Sequence, residues 1–447
     1  MQRVDVVVVG AGFAGLTAAR RLQRAGVSVI VLEADDRVGG RTMPGRLAGR
    51  VVDLGGQWVA PDHTRLISLA REFGVEAYPQ YVDGNNIYDL GGQRGTYKLN
   101  DTDLPATSLK AVQETVNKLT ALATSAFTVT GDLGRHAAGL DGGTLESWLL
   151  ANVFDRVAYS YFRLMVRATH SAETYETSLL AFVSLFAGEN HFEHMTSVRG
   201  GAQDSVFDGG VWQLADRMAK ELGTAVILGS PVRHILQDDQ GVTVRSDQGD
   251  WRGRYVVVTA PPTMANRIQV TPPLSSQRDA CAQRSPLGNV IKVHLAYSRP
   301  FWRDQGLSGQ VLSDQTDFGP WFDHSPRKGG SGALVGFYNG ATAHKWADRD
   351  PIERRMQCLQ DVAKYFGTAA LSPTDYIEEV WGRSAFHRGG YGTVSGPGVI
   401  TTFHDALREP VGRIHWAGTE TDADYSGYIE GAIRSGENAA AALRKLV

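Results

Sequence analysis

The chain has almost no cysteine. Cys281 and Cys358 are the only two in 447 residues, and each stands alone, so neither a disulfide framework nor a Cys-x-x-Cys metal site is available. That usage fits a reducing cytoplasm. Long apolar runs are missing too. No stretch of about 20 apolar residues occurs, which excludes a membrane-spanning helix. The N-terminus leaves no room for a secretory signal, because a first strand begins at Val4 and glycines and Arg20-Arg21 break the apolar run behind it. Strong charge of one sign is absent. A net charge of −3 gives no electrostatic reason to expect nucleic acid or an anionic membrane as partner. No internal repeat, low-complexity segment or free linker is apparent. A soluble, cytoplasmic protein of two or three domains is expected.

What is present starts at once. Val4–Val9 reads as a buried strand, and Gly10, Gly12 and Gly15 then give G-x-G-x-x-G before a helix over Phe13–Arg24. A second strand, Ser28–Leu32, ends in Glu33. Gly10 suits the tight turn. Gly12 lets backbone approach a pyrophosphate, and Gly15 lets the helix lie close on the sheet. The helix start, at Ala14 and its neighbours, offers free N–H groups and a positive dipole end to phosphates. Glu33, about 20 residues on, is placed to accept hydrogen bonds from a ribose diol. A lone glycine fingerprint is weak evidence; this one has its strand, its helix and its acid. A second glycine loop, Gly39-Gly40-Arg41, and a third, Gly55-Gly56-Gln57-Trp58, follow. Nicotinamide enzymes do not need them. FAD is longer and requires further backbone contacts along the strand tips.

The rest of the chain divides by character. Residues 79–204 are mostly helical, with periodic segments at Leu109–Leu122, Thr144–Val153, Phe154–Thr169 and Thr174–Ala187. Strands and one helix return over 205–270, and Ala260-Pro261-Pro262 ends that block. Residues 271–383 leave again, with strands at Val290–Tyr297, Leu334–Tyr338 and Tyr376–Trp381. A short buried strand, Arg413–Trp416, and a helix, Tyr428–Leu446, close the chain. The fold class expected is α/β plus α+β. A Rossmann-like FAD-binding domain (1–78, 205–270, 384–447) interleaves with a mixed sheet-and-helix substrate domain (79–204, 271–383).

These stretches resemble the flavin-dependent amine oxidases of the monoamine oxidase type. The resemblance rests on the N-terminal block, on Asp53–Val59, on Pro286–Lys292, on Pro300-Phe301-Trp302 and above all on the run from Arg413, RIHWAGTETDADYSGYIEGAIRSGENAA. It implies oxidation of a small primary or secondary amine. Hydride passes to flavin N5, the imine is hydrolysed to an aldehyde or ketone, and oxygen reoxidises the flavin to give hydrogen peroxide. It implies further cofactor contacts from Val232 beside the adenine, from Trp381, and from Gly418, Thr419, Glu420, Tyr428 and Ile429 at the pyrimidine end. A helix N-terminus near Gly427 would stabilise the negative charge of reduced flavin there.

Three residues carry the implied chemistry. Lys292 alternates in an apolar strand, where a lysine ordinarily faces solvent, but the resemblance makes it the holder of a water at flavin N5. Tyr391 and Tyr428 become the walls of an aromatic cage around the amine, against the commoner fate of tyrosine as a core residue. In the family the stretch before the cage tyrosine reads Gly-Gly-Cys-Tyr, and the cysteine carries the flavin covalently. Here Gly389-Gly390-Tyr391 puts Gly390 at the cysteine, so FAD is expected without that bond. Trp58, Gln203 and Trp321 are expected to border the substrate. Phe182 and Leu185 read as core packing. Asp35 stands where many relatives have Arg, a departure at the adenine end.

Two neighbouring chemistries stay open. An L-amino-acid oxidase would want an arginine just after the third glycine loop, and Arg65 comes a few residues late. A polyamine oxidase would want cavity acids, for which Glu189 and Glu193 are candidates. A non-catalytic protein on the same fold is the remaining alternative. His191 and His194 share a helical spacing but lack a third ligand, so no metal is expected. The partners expected are a small-molecule amine and oxygen, with no nucleic acid and no membrane; a homodimer is left open.

Overall fold

The computed structural model describes residues 2–98, 104–128, 132–187, 191–403 and 405–447. The first strand, β1 (Val6–Val9), consists of four buried valines. A strand that is apolar on both faces belongs inside a parallel sheet covered on both sides, and that is its place. After α1 (Phe13–Arg24) comes β2 (Val29–Leu32), parallel to β1 on one side. On the other side lies β3 (Tyr255–Val258), also parallel, and beyond it the closing strand Ile414–Trp416. Val226–Ile227 completes the five-stranded parallel sheet beside β2. Strands from both ends and the middle of the sequence therefore meet in one layer.

The closing helix, Ile429–Leu443, packs along α1. The approach is close: a Cβ on Gly436 would stand 2.3 Å from the Ala14 carbonyl. Glycine there lets the two helices touch by backbone, and the shared core of Phe13, Leu16, Ala440 and Leu443 is buried. Val232–Asp238 is a strand of a second, mixed five-stranded sheet, which packs on one face of the first: Ile235, Val242 and Trp251 share a buried core with Val7, Val9 and Val256.

The seven-stranded sheet is built around β4 (Val290–Tyr297), with β5 (Asp375–Val380) antiparallel on one side and Gly332–Asn339 on the other. All eight residues of β4 are buried. The two-residue period of a strand explains how lysine and histidine come to be inside. Ile291, Val293, Leu295 and Tyr297 face a core with Trp302, Trp321 and Tyr338. Val290, Lys292, His294 and Ala296 face the other way, toward the segment around Leu54 and toward Trp381. Lysine in this strand does not alternate into solvent, because the sheet is covered on both faces.

The helical region has its own core, in which Phe182 meets Phe162, Phe186 and Phe192 edge to face while Phe186 and Phe192 stack face to face. Phe182 is fully buried there and Leu185 packs against it. The helix expected over Thr174–Ala187 is shorter: Ser178 caps Leu179–Val183, and a 3-10 turn follows. Buried Glu173, Thr174 and Thr177 before it are spent on side-chain hydrogen bonds, which compete with helix. Trp381 likewise begins a 3-10 turn after β5 instead of ending the strand. Among the described residues no helix is long and apolar enough to cross a membrane.

Candidate active site

One cavity of about 410 Å3 runs from the glycine turn after β1 to Lys292 of β4. Its first end is made largely of backbone. Gly10 has φ +105°, a conformation that glycine adopts without strain, and leads from β1 into the turn. A Cβ on Gly15 would lie 2.0 Å from the Gly10 carbonyl, so only glycine lets the helix start pack there. Gly12 is extended and caps α1 without a side-chain hydrogen bond, which leaves the first N–H groups of the helix free. Gly12 and Gly40 face each other closely, and both line the cavity with Ala14 and Arg41. Glu33 lines it too, accepting from the amides of Ala11 at 2.5 Å and Asp35 at 2.9 Å. Burial pushes its carboxyl above the usual range, against those hydrogen bonds. Val232 is on the wall nearby. Asp35 faces Arg37 at 3.4 Å.

This end fits a dinucleotide. The donors are free amides at a helix N-terminus, the acceptor is one buried carboxylate, and any Cβ at the close approaches would fill the space a phosphate needs. The cavity continues past Gly55 and Gly56 to Trp381, which is the extra length expected for FAD.

At the other end Lys292 reaches the cavity from β4. Its ammonium donates to the Gly55 carbonyl at 2.8 Å and to Gln57 Oε1 at 2.5 Å, leaving the third N–H uncommitted in those bonds. The rings of Trp58 and Phe337 lie 5.7 and 5.8 Å from Nζ. Burial drives the Lys292 pKa well below that of an ordinary lysine, while the Asp53 carboxylate opposes the shift. Burial raises Asp53 in turn, although its carboxylate accepts from the Val211 amide at 3.0 Å.

Tyr391, Tyr428, Ile429, Gly418 and Thr419 close the same end. The Tyr391 hydroxyl donates to Asn339 Oδ1 at 3.2 Å, and the Tyr428 ring packs edge-on against His63 at 5.2 Å. Burial pushes the Tyr428 hydroxyl up to about 12 and raises that of Tyr391 as well, so both are neutral phenols at pH 7. Arg41 ties the two ends together. It grips Glu420 with both Nη atoms, at 2.6 and 3.0 Å, and donates to the Tyr391 carbonyl at 2.7 Å. Gly390 lines the cavity, and a Cβ there would stand 3.3 Å from the Val290 side chain.

Other expected residues lie outside the cavity wall. Gly15 sits behind the turn, Glu420 behind Arg41, and Gln57 and Trp58 behind Lys292. Trp321 is fully buried against Phe318, with ring centroids 4.2 Å apart, in the core on the far face of β4. Gln203 is half-buried and donates to the Met195 carbonyl at 3.3 Å. Glu193 is exposed on the short helix His191–Thr196, and Glu189 lies outside the described residues. Arg65 faces Glu437 at 3.6 Å. Sequence reading missed Thr259, Ala260, Pro261 and Met264, which wall the first end after β3. The proline break marked them as an end of a strand, and the tips of parallel strands are where such sheets bind ligands. Asn339 was missed as well, since nothing local distinguishes it.

A family model described as flavin containing amine oxidoreductase matches residues 13–444. The probable flavin-containing monoamine oxidase A of Dictyostelium discoideum is 36% identical over 435 residues, 97% of this chain and 95% of that one. The L-amino acid dehydrogenase of Synechocystis sp. is 35% identical over 449 residues, 98% of this chain and 94% of that one. The structure of cyclohexylamine oxidase from Brevibacterium oxydans IH-35A superposes with a TM-score of 0.93 at 33% identity, covering 99% of each chain. With a dinucleotide cradle at one end of its cavity and a buried lysine at the other, this chain belongs to the flavin-containing amine oxidoreductase family.

Proposed function

We propose that the chain oxidises a small primary or secondary amine with FAD held non-covalently. The observation that carries this reading is the single cavity running from Glu33 to Lys292, Tyr391 and Tyr428. FAD held by these residues would supply a two-electron oxidation at the carbon beside nitrogen, to an imine that water would hydrolyse, with oxygen as final acceptor reduced to hydrogen peroxide. Residues 1–78, 205–270 and 384–447 hold the cofactor in this reading, and 79–204 and 271–383 hold the amine.

The chain supplies position and a dry environment. Gly12, Gly40 and the start of α1 hold the pyrophosphate, and Glu33 holds the ribose. Lys292 Nζ holds a water through its uncommitted N–H. The faces of Tyr391 and Tyr428 draw the nitrogen in and exclude solvent. No side chain forms a bond to the amine.

The small-amine reading is favoured by the arginines: Arg41 is spent on Glu420, and Arg65 sits by Glu437. An amino acid's carboxylate therefore lacks a free partner just after the Gly55-Gly56 loop. The cyclohexylamine oxidase likeness points the same way, and the Synechocystis dehydrogenase puts amino acids, and an acceptor other than oxygen, into the same trial.

Purified protein is titrated anaerobically with a panel of amines, polyamines and L-amino acids while the flavin band is followed. Bleaching by small amines and not by amino acids is expected. Bleaching by amino acids alone would overturn the substrate class. Acid precipitation should release all the flavin; colour retained in the pellet would overturn the non-covalent assignment.

A further inference from the structure

Three successive carbonyls, those of Asp53, Leu54 and Gly55, are each taken by a side chain from the seven-stranded sheet or from the turn that follows its strand β5. His294 Nε2 lies 3.0 Å from the Asp53 oxygen, Trp381 Nε1 2.9 Å from that of Leu54, and Lys292 Nζ 2.8 Å from that of Gly55. The amides of the same segment go the other way. Leu54 donates to Met43 at 2.8 Å and Gly56 to Arg41 at 3.1 Å. A Cβ on Gly55 would stand 2.1 Å from the Arg41 carbonyl, so the segment lies flat on that loop. It is thus held between backbone on one side and a row of side-chain donors on the other. Lys292 and His294 share a face of β4 because they are two residues apart, and Trp381 follows the neighbouring strand β5.

Lys292 and Trp381 also line the cavity; His294 does not. It is fully buried, and its Nδ1 has no partner among the described residues. A carbonyl can only accept, so the proton is assigned to Nε2. Burial, aided by the Lys292 ammonium, keeps the ring neutral. The ring of His324 rests on it at 5.1 Å. A buried imidazole with one hydrogen bond, aimed at the carbonyl two residues before the one that holds Lys292, has one evident task.

The geometry points to His294 as a positioning residue of the amine reaction: its Nε2–H fixes the Asp53 carbonyl and, through residues 53–57, the two acceptors that aim Lys292 Nζ. This rests on the reading that Lys292 faces bound flavin. A group misplaced by about 1 Å costs on the order of 100-fold in rate, so a single hydrogen bond two residues away has leverage on the chemistry.

The variants H294Q, H294N and H294L separate the hydrogen bond from the ring. Glutamine carries an amide N–H at about the reach of Nε2. The amide of asparagine is one bond shorter, and leucine has none. Two quantities are read: hydrogen exchange of the peptide containing residues 53–57, and the rate of anaerobic flavin reduction by the best amine, with its apparent affinity. In H294N and H294L, faster exchange and reduction slowed about tenfold at unchanged amine affinity are expected, with H294Q within about threefold of wild type. If H294L fails to fold, the contrast between H294N and H294Q carries the result.

Three variants alike, whether all normal or all equally impaired, would overturn the proposal, because the imidazole then only fills space. So would faster exchange in H294N with an unchanged reduction rate. If no amine reduces wild-type flavin, the amine reading fails by itself. Exchange then still decides the role of His294 in holding the segment, and unchanged exchange in H294N overturns it.

Discussion

The two ends of the cavity are made of different materials. The end at Gly10, Gly12 and Glu33 is largely backbone from the first forty residues, shaped by what glycine omits, with Val232 and the turn after β3 adding a wall. The end at Lys292, Tyr391 and Tyr428 is side chain, brought from three remote segments and held by further side chains, Gln57, Asn339 and His63. The first has little room for variation, since a single added methyl meets a carbonyl. The second is set by orientation, and its tolerance depends on who holds whom. A family that keeps one cofactor and changes its amine would use this division.

The comparison can be broken most forcefully at Gly15. Gly15→Ala places a methyl 2.0 Å from the Gly10 carbonyl. It should cost roughly 3 kcal/mol of stability and abolish flavin retention, read as melting temperature and as the ratio of flavin to protein absorbance. A coloured, stable G15A would show that the backbone end is less rigid than described. At the other end, Lys292→Met should leave the flavin bound and slow its anaerobic reduction and reoxidation by about 100-fold in total. Loss of flavin from K292M, with the chemistry of any residual holoenzyme intact, would erase the distinction between the ends.

Acid should destabilise the fold through its buried histidines, among them His63 beside Tyr428. Burial holds His63 and His170 down to about 4 and His387 to about 3, so they stay neutral in the fold while the unfolded chain takes up protons below about 6.5. The unfolded state then binds more protons, and stability present above about pH 6.5 is lost as pH falls toward 4. A melting temperature that declines over this window, with a shallower decline in H63Q, is the expected result. Tyr391→Phe keeps the ring and loses the hydroxyl's bonds to Asn339 and Ser171, so amine turnover should change about threefold, against tenfold or more for Tyr391→Ala. The smallest effect belongs to Trp321→Phe. It should lower the melting temperature by a few degrees through about 1–2 kcal/mol of lost packing, and leave the amine KM unchanged.

The same division governs what could be read from the sequence. The parallel sheet, α1 and the glycine cradle are local: strand, turn, helix and acid follow one another, and each residue type has its reason at its own position. Val6–Val9 announces a central strand by being apolar on both faces. The side-chain end is long-range. Periodicity puts Lys292 on one face of β4, but whether that face meets water or Gly55 depends on a segment more than two hundred residues earlier. Trp321 illustrates the cost. It lies on Trp321–Asp323, one strand beyond Gly332–Asn339 from β4, and its ring turned to the far core. Asn339 had no local signal at all, because its partner Tyr391 is chosen only when the sheet is assembled. The resemblance brought Lys292, Tyr391 and Tyr428 together where spacing could not.

Arg41 has a consequence for the order of events in making the enzyme. Its guanidinium joins residues near 40, near 390 and at 420, while the closing strand and helix, from Ile414 onward, flank β3 and α1. A nascent chain that has not yet released residues 414–443 has its glycine turn ready but one edge of the sheet bare and one face of α1 uncovered. The ribosome delivers those last pieces seconds after the rest. Cofactor capture is therefore expected late in the life of each molecule, and a chain truncated ahead of Ile414 is expected to carry the glycine fingerprint and purify colourless.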